Sequence, residues 1–199
     1  MPLVTEEQLH VPRTPAAATA VKLITDGRID KFVTKANEKN AAALFSACVQ
    51  ECNLRDKQYS DASVGQCLAA SVKLWLPPGL PESFCHFVPR KGELVWTRSY
   101  KGVIHLAYRS GFLVRLDAEY VLKGERFRYR HTSDKGVRIS HEIPANRPEF
   151  EMGNLECVYA TWQTRDGAVS GFVVPAWKVV KLRDKSDSSS PWRQHPDAM

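Results

Sequence analysis

Residues 73–79 read Lys73-Leu74-Trp75-Leu76-Pro77-Pro78-Gly79, and the hydrophobic period of the chain changes across them. Upstream, apolar side chains recur every three or four positions, as Val64, Leu68 and Val72 do, which is the period of a helix. The two prolines end that helix, because proline has no amide hydrogen for the helical ladder. Downstream the period is two, as in strands. The pattern predicts an α+β fold: N-terminal helices followed by an antiparallel β-sheet with short helices.

Two helical segments and an arm are predicted ahead of this change. Residues 1–24 are rich in proline and alanine and predict a flexible N-terminal arm. A helical pattern covers residues 25–52, and a second helix follows Ser60, whose hydroxyl can cap its first turn. We expect one core domain over residues 25–183, and a polar linker that opens a C-terminal region at residues 184–199.

The second half of the chain is predicted to consist mainly of strands. Alternating patterns place strands at residues 83–89, 93–98, 113–122, 126–131, 136–142, 155–164 and 168–174. Turn residues lie at Arg90-Lys91-Gly92 and at Arg165-Asp166-Gly167, so hairpins are expected across both. Short helices are predicted at residues 100–110, with Gly111 as the C-terminal cap, and at residues 175–183.

Composition favours a reduced, non-membrane protein. No apolar run approaches the roughly 20 residues of a membrane span. The first residues lack the basic and apolar regions of a signal peptide, so we expect the cytoplasm. The five cysteines follow no disulfide-like spacing and are predicted to be buried thiols; they are Cys48, Cys52, Cys67, Cys85 and Cys157.

The sequence offers little to support an enzyme. It contains neither a Gly-x-x-x-x-Gly-Lys phosphate loop nor a Gly-x-Gly-x-x-Gly motif. Cys48 and Cys52 share a helix face, but no further pair of ligands completes a zinc site at suitable spacing. The six histidines are scattered, and the carboxylates form no obvious pair. We therefore predict a protein without catalytic residues, cofactor or metal.

Positive charge is concentrated in the middle of the chain. The net charge is +6, yet residues 90–138 alone hold 12 basic and 5 acidic side chains. Such a run is often only a solvated face. Here aromatic residues are interleaved with the basic ones, which favours a polyanionic partner.

Two basic patterns in this region each allow two interpretations. On the helix at residues 100–110, Lys101, His105, Tyr108 and Arg109 share one face, whereas Val103, Leu106 and Ala107 are expected to point toward a core. That face either binds an anion or is merely solvated. In the second pattern, Arg126, Arg128 and Arg130 alternate with Phe127 and Tyr129, which puts the arginines on one side of a strand. This row either follows a phosphate backbone or guards a sheet edge with charge.

Residues 100–111 form a distinctive segment, with Tyr-Lys-Gly at the start of the predicted helix and Arg-Ser-Gly at its end. This segment, together with several others in order, resembles the RecT family of phage recombination proteins. Further similar segments are residues 63–76 with Pro78-Gly79, then Phe87-Val88-Pro89, residues 121–127, Tyr159-Ala160, Asp166-Gly167, and Ser190-Pro191-Trp192. Trp75 departs from the pattern, because the family often has glycine there. The resemblance covers about residues 30–199.

The resemblance implies ATP-independent annealing of complementary single strands during recombination, by a fold like the core of single-strand annealing proteins. It also implies a homo-oligomer, either a ring or a helical filament, and a partner exonuclease. The family continues past the position of Met199 into a basic helix, so the resemblance implies a shortened chain here. With the basic patterns, it predicts these DNA-binding residues: Lys91, Arg98, Tyr100, Lys101, His105, Arg109, Arg126, Arg128 and Arg130.

Two other functions remain open from the sequence. One is a sequence-tolerant protein that coats single strands without annealing them. The other is a structural or assembly protein whose basic region is simply solvated. Annealing proteins accelerate the pairing of complementary strands, coating proteins slow it, and structural proteins leave it unchanged.

Overall fold

The computed structural model describes residues 2–79, 83–132 and 136–185. Its backbone contacts divide the chain into two compact units, one up to Ala107 and one from Tyr108 onward. Within the described residues no helix has both the length and the apolar character needed to cross a membrane. The predicted linker and the similarity around Trp192 lie outside the described residues, apart from residues 184 and 185.

The first unit is built on three helices: α1 (Pro15–Thr25), α2 (Ala41–Cys52) and α3 (Asp61–Leu74). The Ser60 hydroxyl accepts a hydrogen bond from the Ser63 amide and caps α3, as predicted. The predicted core residues of α3 are all buried. Together the three helices enclose an apolar core centred on Phe45, Ile24 and Leu68.

The prediction of a flexible arm over residues 1–24 is wrong. Thr14 caps α1 by accepting a hydrogen bond from the Ala17 amide, and Pro15 occupies the first helical position, where its missing amide hydrogen costs nothing. Three of the alanines that suggested an arm, Ala16, Ala17 and Ala20, are buried in the core, because small side chains let helices approach closely. Val4, near the start of the chain, is buried as well.

The helical pattern predicted from residue 25 begins too early. Thr25 is the last residue of α1, and residues 26–40 contain only two short 3₁₀ turns, Asp30–Phe32 and Glu38–Asn40. Gly27, at φ +70°, turns the chain out of α1 in a conformation that glycine adopts readily. A continuous helix therefore forms only from Ala41.

Helix α3 ends in a left-handed residue, Trp75, at φ 50° and ψ 51°. This is the position where the family pattern often has glycine, and the structure shows why glycine suits it. The indole of Trp75 packs against the core, and this contact offsets the backbone strain.

A hairpin of β1 (Cys85–Arg90) and β2 (Glu93–Arg98) follows, with Lys91 and Gly92 both at positive φ in a two-residue turn. The outer edge of β1 is tied to α2. Buried Glu51 accepts a hydrogen bond from the Phe87 amide, and Arg55 donates to the Phe87 carbonyl. A bond from Arg55 to Glu51 closes this clamp. Helix α4 (Tyr100–Arg109) comes next and ends before Gly111, the predicted C-terminal cap, which lies at positive φ.

The second unit contains a three-stranded antiparallel sheet and a separate hairpin. The sheet order is β3 (Leu113–Leu122), β6 (Leu155–Thr164), β7 (Val169–Pro175), and helix α5 (Ala176–Asp184) follows. The predicted turn at residues 165–167 joins β6 and β7. The hairpin pairs β4 (Arg126–Thr132) with β5 (Gly136–Glu142). Thus β3 and β4, although consecutive, pair with different partners.

Candidate nucleic-acid interface

The β4–β5 hairpin places arginines from both strands on one face. Arg128 pairs with Ser140, and Arg130 pairs directly with Arg138. Because facing residues of an antiparallel pair project to the same side, these four side chains lie together. Arg126 continues the row and makes an exposed ion pair with Glu142, with Nη1 3.4 Å from Oε2. We call Arg126, Arg128, Arg130 and Arg138 the arginine face.

Three members of the arginine face carry positive charge that the described residues do not neutralise. Arg128, Arg130 and Arg138, with Ser140, line a shallow depression of about 250 Å³. None of these three guanidinium groups forms an ion pair with any residue that the structure describes. Arg130 and Arg138 lie directly opposite each other in the hairpin. Like charges in that position repel and destabilise the pairing of the strands. An anion in the depression would relieve that repulsion and accept hydrogen bonds from planar guanidinium groups.

The opposite side of the hairpin packs on the sheet of the second unit. The Phe127 ring lies 5.4 Å from the Tyr159 ring of β6 and 5.8 Å from the His141 ring of β5. Beside it, Val137 approaches Gly171, where a Cβ would lie 3.3 Å from a valine methyl group. The inward aromatic therefore holds the arginine row outward. Tyr129, the second aromatic of the row, is 43% exposed and contributes less to this contact.

A cluster of partly buried polar groups ties down the base of the hairpin; we call Glu125, His141, Arg147 and Tyr159 the root cluster. Arg147 donates to both carboxylate oxygens of Glu125, from Nε at 2.7 Å and from Nη2 at 3.1 Å. The Leu122 amide also donates to Glu125, at 2.7 Å. His141 joins Glu125, 3.0 Å from its Nε2, to the Tyr159 hydroxyl, 3.2 Å from its Nδ1.

The root cluster shifts the pKa values of its own members. Burial alone raises the pKa of Glu125, but the bonds from Leu122, Arg147 and His141 outweigh it, so the pKa is lowered overall. Burial, assisted by Glu119, raises the pKa of the Tyr159 hydroxyl. Glu125 is therefore held as a carboxylate and Tyr159 as a protonated phenol that can donate a hydrogen bond.

Helix α4 presents a different surface from the one predicted. Gly102 is its only buried residue, and Val103, expected in the core, is 51% exposed. The reason is that α4 docks through Gly102 onto the backbone of Phe84. His105 is also partly withdrawn, since its ring lies 4.5 Å from the Phe84 ring. Lys101 remains exposed.

The predicted DNA-binding residues thus fall into separate groups. Arg126, Arg128 and Arg130 form one continuous face. Lys91 lies in the β1–β2 turn, whereas Arg98 is at the far end of β2 and leads into α4, which carries the other four: Tyr100, Lys101, His105 and Arg109. Tyr100 is 72% exposed, and Arg109 is exposed but interacts with another group of the protein.

The five cysteines are free thiols and all are buried, which confirms that prediction. Among the described side chains, no group of three or more His, Cys, Asp or Glu is arranged so that it could hold a metal ion. Burial raises the pKa of the Cys52 and Cys67 thiols to about 12, and nearby thiols contribute to the increase.

A model of the RecT family matches residues 39–199 of the chain, which is most of its length. The chain belongs to the RecT family. No curated protein matches it. Membership confirms the resemblance, although the match begins somewhat later than the motifs had indicated. It supports phage-type single-strand annealing in DNA recombination, in a class of annealing proteins that are generally not catalytic.

In this RecT protein the segment of strongest similarity, residues 100–111, corresponds to α4 and its glycine cap. The Ser99 hydroxyl accepts a hydrogen bond from the Gly102 amide and begins the helix. The glycine of the Tyr-Lys-Gly opening therefore has a packing role, because a Cβ there would lie 2.1 Å from the Phe84 carbonyl oxygen.

Sequence reasoning missed Arg138 and the root cluster. The signal for Arg138 was present, since Val137, Ile139 and His141 alternate with Arg138 and Ser140 just as the arginines of β4 alternate with aromatics. Arg147 gave no such signal. It lies in an irregular proline-containing segment, and its partners come from β3 and from the turn before β4.

Proposed function

We propose that this RecT protein binds single-stranded DNA along the arginine face and anneals complementary strands without ATP. The observation that carries the proposal is the convergence of Arg128, Arg130 and Arg138 on one depression without a neutralising partner among the described residues. Family membership gives the polyanion its identity, since the shared function is the pairing of single DNA strands.

Annealing requires no covalent step. Two strands repel each other through their phosphates, and guanidinium groups lower that repulsion while counterions are released. Contacts to phosphate carry no sequence information, so one surface serves any pair of complementary strands. The free energy comes from base pairing itself, which is consistent with a sequence that contains no phosphate loop.

The test is a strand-pairing assay with quenched complementary oligonucleotides in the absence of ATP. We expect acceleration by the wild-type protein and a marked loss in Arg128→Ala, Arg130→Ala and Arg138→Ala. Arg28→Ala is the matched control, because it removes the same charge from an exposed arginine of the first unit. An absolute need for ATP would overturn the proposal, and slower pairing would identify a coating protein.

The helix α4 is proposed as a second contact. Lys101→Ala should weaken binding to unrelated sequences by similar factors, because a lysine on phosphate does not read bases. Unchanged affinity in a folded Lys101→Ala variant would leave the α4 surface merely solvated, while the arginine face could still bind.

Homo-oligomerisation as a ring or helical filament, and cooperation with an exonuclease in the cytoplasm, are further parts of the proposal, supported by family membership. An oligomer would align many arginine faces along one strand. Sedimentation with and without single-stranded DNA tests this. A monomer under both conditions would exclude the aligned arrangement.

A further inference from the structure

The root cluster holds both strands of the arginine hairpin at its base. Glu125 immediately precedes β4, and His141 lies near the end of β5. Tyr159 belongs to β6, in the three-stranded sheet. Arg147 extends the attachment to β3, because it donates to the Tyr120 carbonyl at 2.5 Å and lies over the Tyr120 ring. The hairpin is thus anchored to two strands of the sheet.

His141 is the residue that links Glu125, at the start of the hairpin, to Tyr159 of the sheet. Its side chain is 2% exposed, and that of Glu125 is 5% exposed. A neutral imidazole satisfies every group: Nε2–H donates to Glu125, and Nδ1 accepts from the Tyr159 hydroxyl. Buried polar groups satisfied in this way specify one geometry, because each alternative leaves a donor or acceptor unpaired.

We propose that His141 is a positioning residue which, held between Glu125 and Tyr159, fixes the direction in which the arginine hairpin leaves the sheet. The inference rests on the proposed DNA-binding role of the arginine face. Packing of the Phe127 ring alone resists separation of the hairpin from the sheet but tolerates sliding and tilting. The two hydrogen bonds of His141 are directional and remove that freedom.

The length of the hairpin makes this direction important. Arg130 lies three residues beyond Phe127 along β4, which is about 10 Å at roughly 3.4 Å per residue. A tilt of roughly 10° at the root would move the backbone at Arg130 by about 2 Å over that distance. Such a shift is large compared with the tolerance of a guanidinium–phosphate hydrogen bond.

The experiment compares three substitutions that preserve ring packing or hydrogen bonding to different degrees. His141→Phe keeps an aromatic ring but loses both hydrogen bonds. Tyr159→Phe loses only the bond at Nδ1. His141→Gln keeps both, since its amide nitrogen can donate to Glu125 and its oxygen can accept from Tyr159. Val179→Ala, a buried position in α5, is a destabilised control outside the hairpin.

The readout is the slope of log affinity for single-stranded DNA against log salt concentration, measured beside thermal unfolding. The slope becomes shallower by roughly 0.7 for each DNA phosphate that the protein ceases to neutralise. We expect a decrease of about 1.4 in His141→Phe, corresponding to two phosphates, and a smaller decrease in Tyr159→Phe. His141→Gln should retain the wild-type slope. Val179→Ala should also retain it, despite a lower melting temperature.

Each other outcome overturns the inference. A slope in His141→Phe no different from that in Val179→Ala would show that His141 only stabilises the fold. A failure of His141→Gln to restore the slope would show that the two hydrogen bonds are not what matters. If Arg128→Ala, Arg130→Ala and Arg138→Ala leave the slope unchanged, the proposed function fails too; if they change it and His141→Phe does not, only this inference fails.

Discussion

Gly102 shows how a single missing side chain can determine where a helix lies. A Cβ at this position would lie 2.1 Å from the Phe84 carbonyl oxygen, and the Ser99 amide donates to that same oxygen. Because the contacted atom belongs to the backbone, no rotation of a side chain could relieve the clash. The helix therefore cannot keep its present position if the residue gains any side chain.

We expect Gly102→Ala to destabilise the first unit by about 1–3 kcal/mol, the usual cost of overpacking, although alanine is the better helix former. Gly153→Ala is the matched control, because an added Cβ there would have no neighbour within 4 Å. Urea unfolding of both variants decides the point. Equal stabilities would mean that α4 can move away from Phe84 at no cost.

The buried thiols lead to a prediction about reactivity. Burial, together with neighbouring thiols, raises the pKa of Cys48 well above its ordinary value, and burial raises that of Cys85 to about 11. The reactive thiolate is therefore scarce at pH 8, and access is blocked as well. A maleimide reagent should label no cysteine rapidly in the native protein and all five in denaturant. Fast labelling of any one native thiol would contradict this burial.

At the level of the elements, the β4–β5 hairpin combines a cost in stability with a binding surface. Arg130 and Arg138 face each other across the ladder. Arg138→Gln removes the repulsion and should stabilise the hairpin by about 0.2–1 kcal/mol, while weakening binding to single-stranded DNA. The stability measured by calorimetry should rise, while the affinity measured by DNA titration should fall. Neither the stability nor the DNA affinity of the control, Arg28→Gln, should change much. A decrease in both quantities in Arg138→Gln would refute the trade-off.

The elements also show what local sequence can predict. Helix α3 was predicted well because its cap, Ser60, and its apolar period lie within one segment, and the β6–β7 turn was marked by Asp166-Gly167. The pairing of β3 with β6 joins segments that the whole β4–β5 hairpin separates, and no local pattern specifies such a pairing. The arginine row of β4 was visible from alternation, and Arg138 had the same signal in β5. Its position beside that row, and the attachment of the hairpin, depend on strands that come together only in the folded chain.

For the molecule as a whole, the root cluster predicts how stability depends on pH. The folded pKa of Glu125 lies below its unfolded value of about 4.3. Its contribution to stability is therefore complete above that unfolded value and is lost as the pH falls through the folded pKa. We expect Glu125→Gln to be less stable than wild type at pH 7, with the difference closing below about pH 4.

Denaturant unfolding at stepped pH values measures that difference. Glu156→Gln is the control, because Glu156 is an exposed carboxylate on β6 with no described bonding partner. The difference in unfolding free energy between Glu156→Gln and wild type should stay small at every pH. A Glu125→Gln difference that persists unchanged at low pH would mean that the carboxylate charge is not what stabilises the second unit.

The opposed arginines of the hairpin have a practical consequence for anyone who prepares this protein. A surface whose repulsion is relieved by any polyanion will retain nucleic acid from lysed cells, and a ligand that binds only the folded state raises the apparent melting temperature. Preparations washed at different salt concentrations should therefore differ both in their nucleic-acid absorbance and in their melting temperature. A stability value for the protein alone requires material stripped at high ionic strength and checked for residual absorbance at 260 nm.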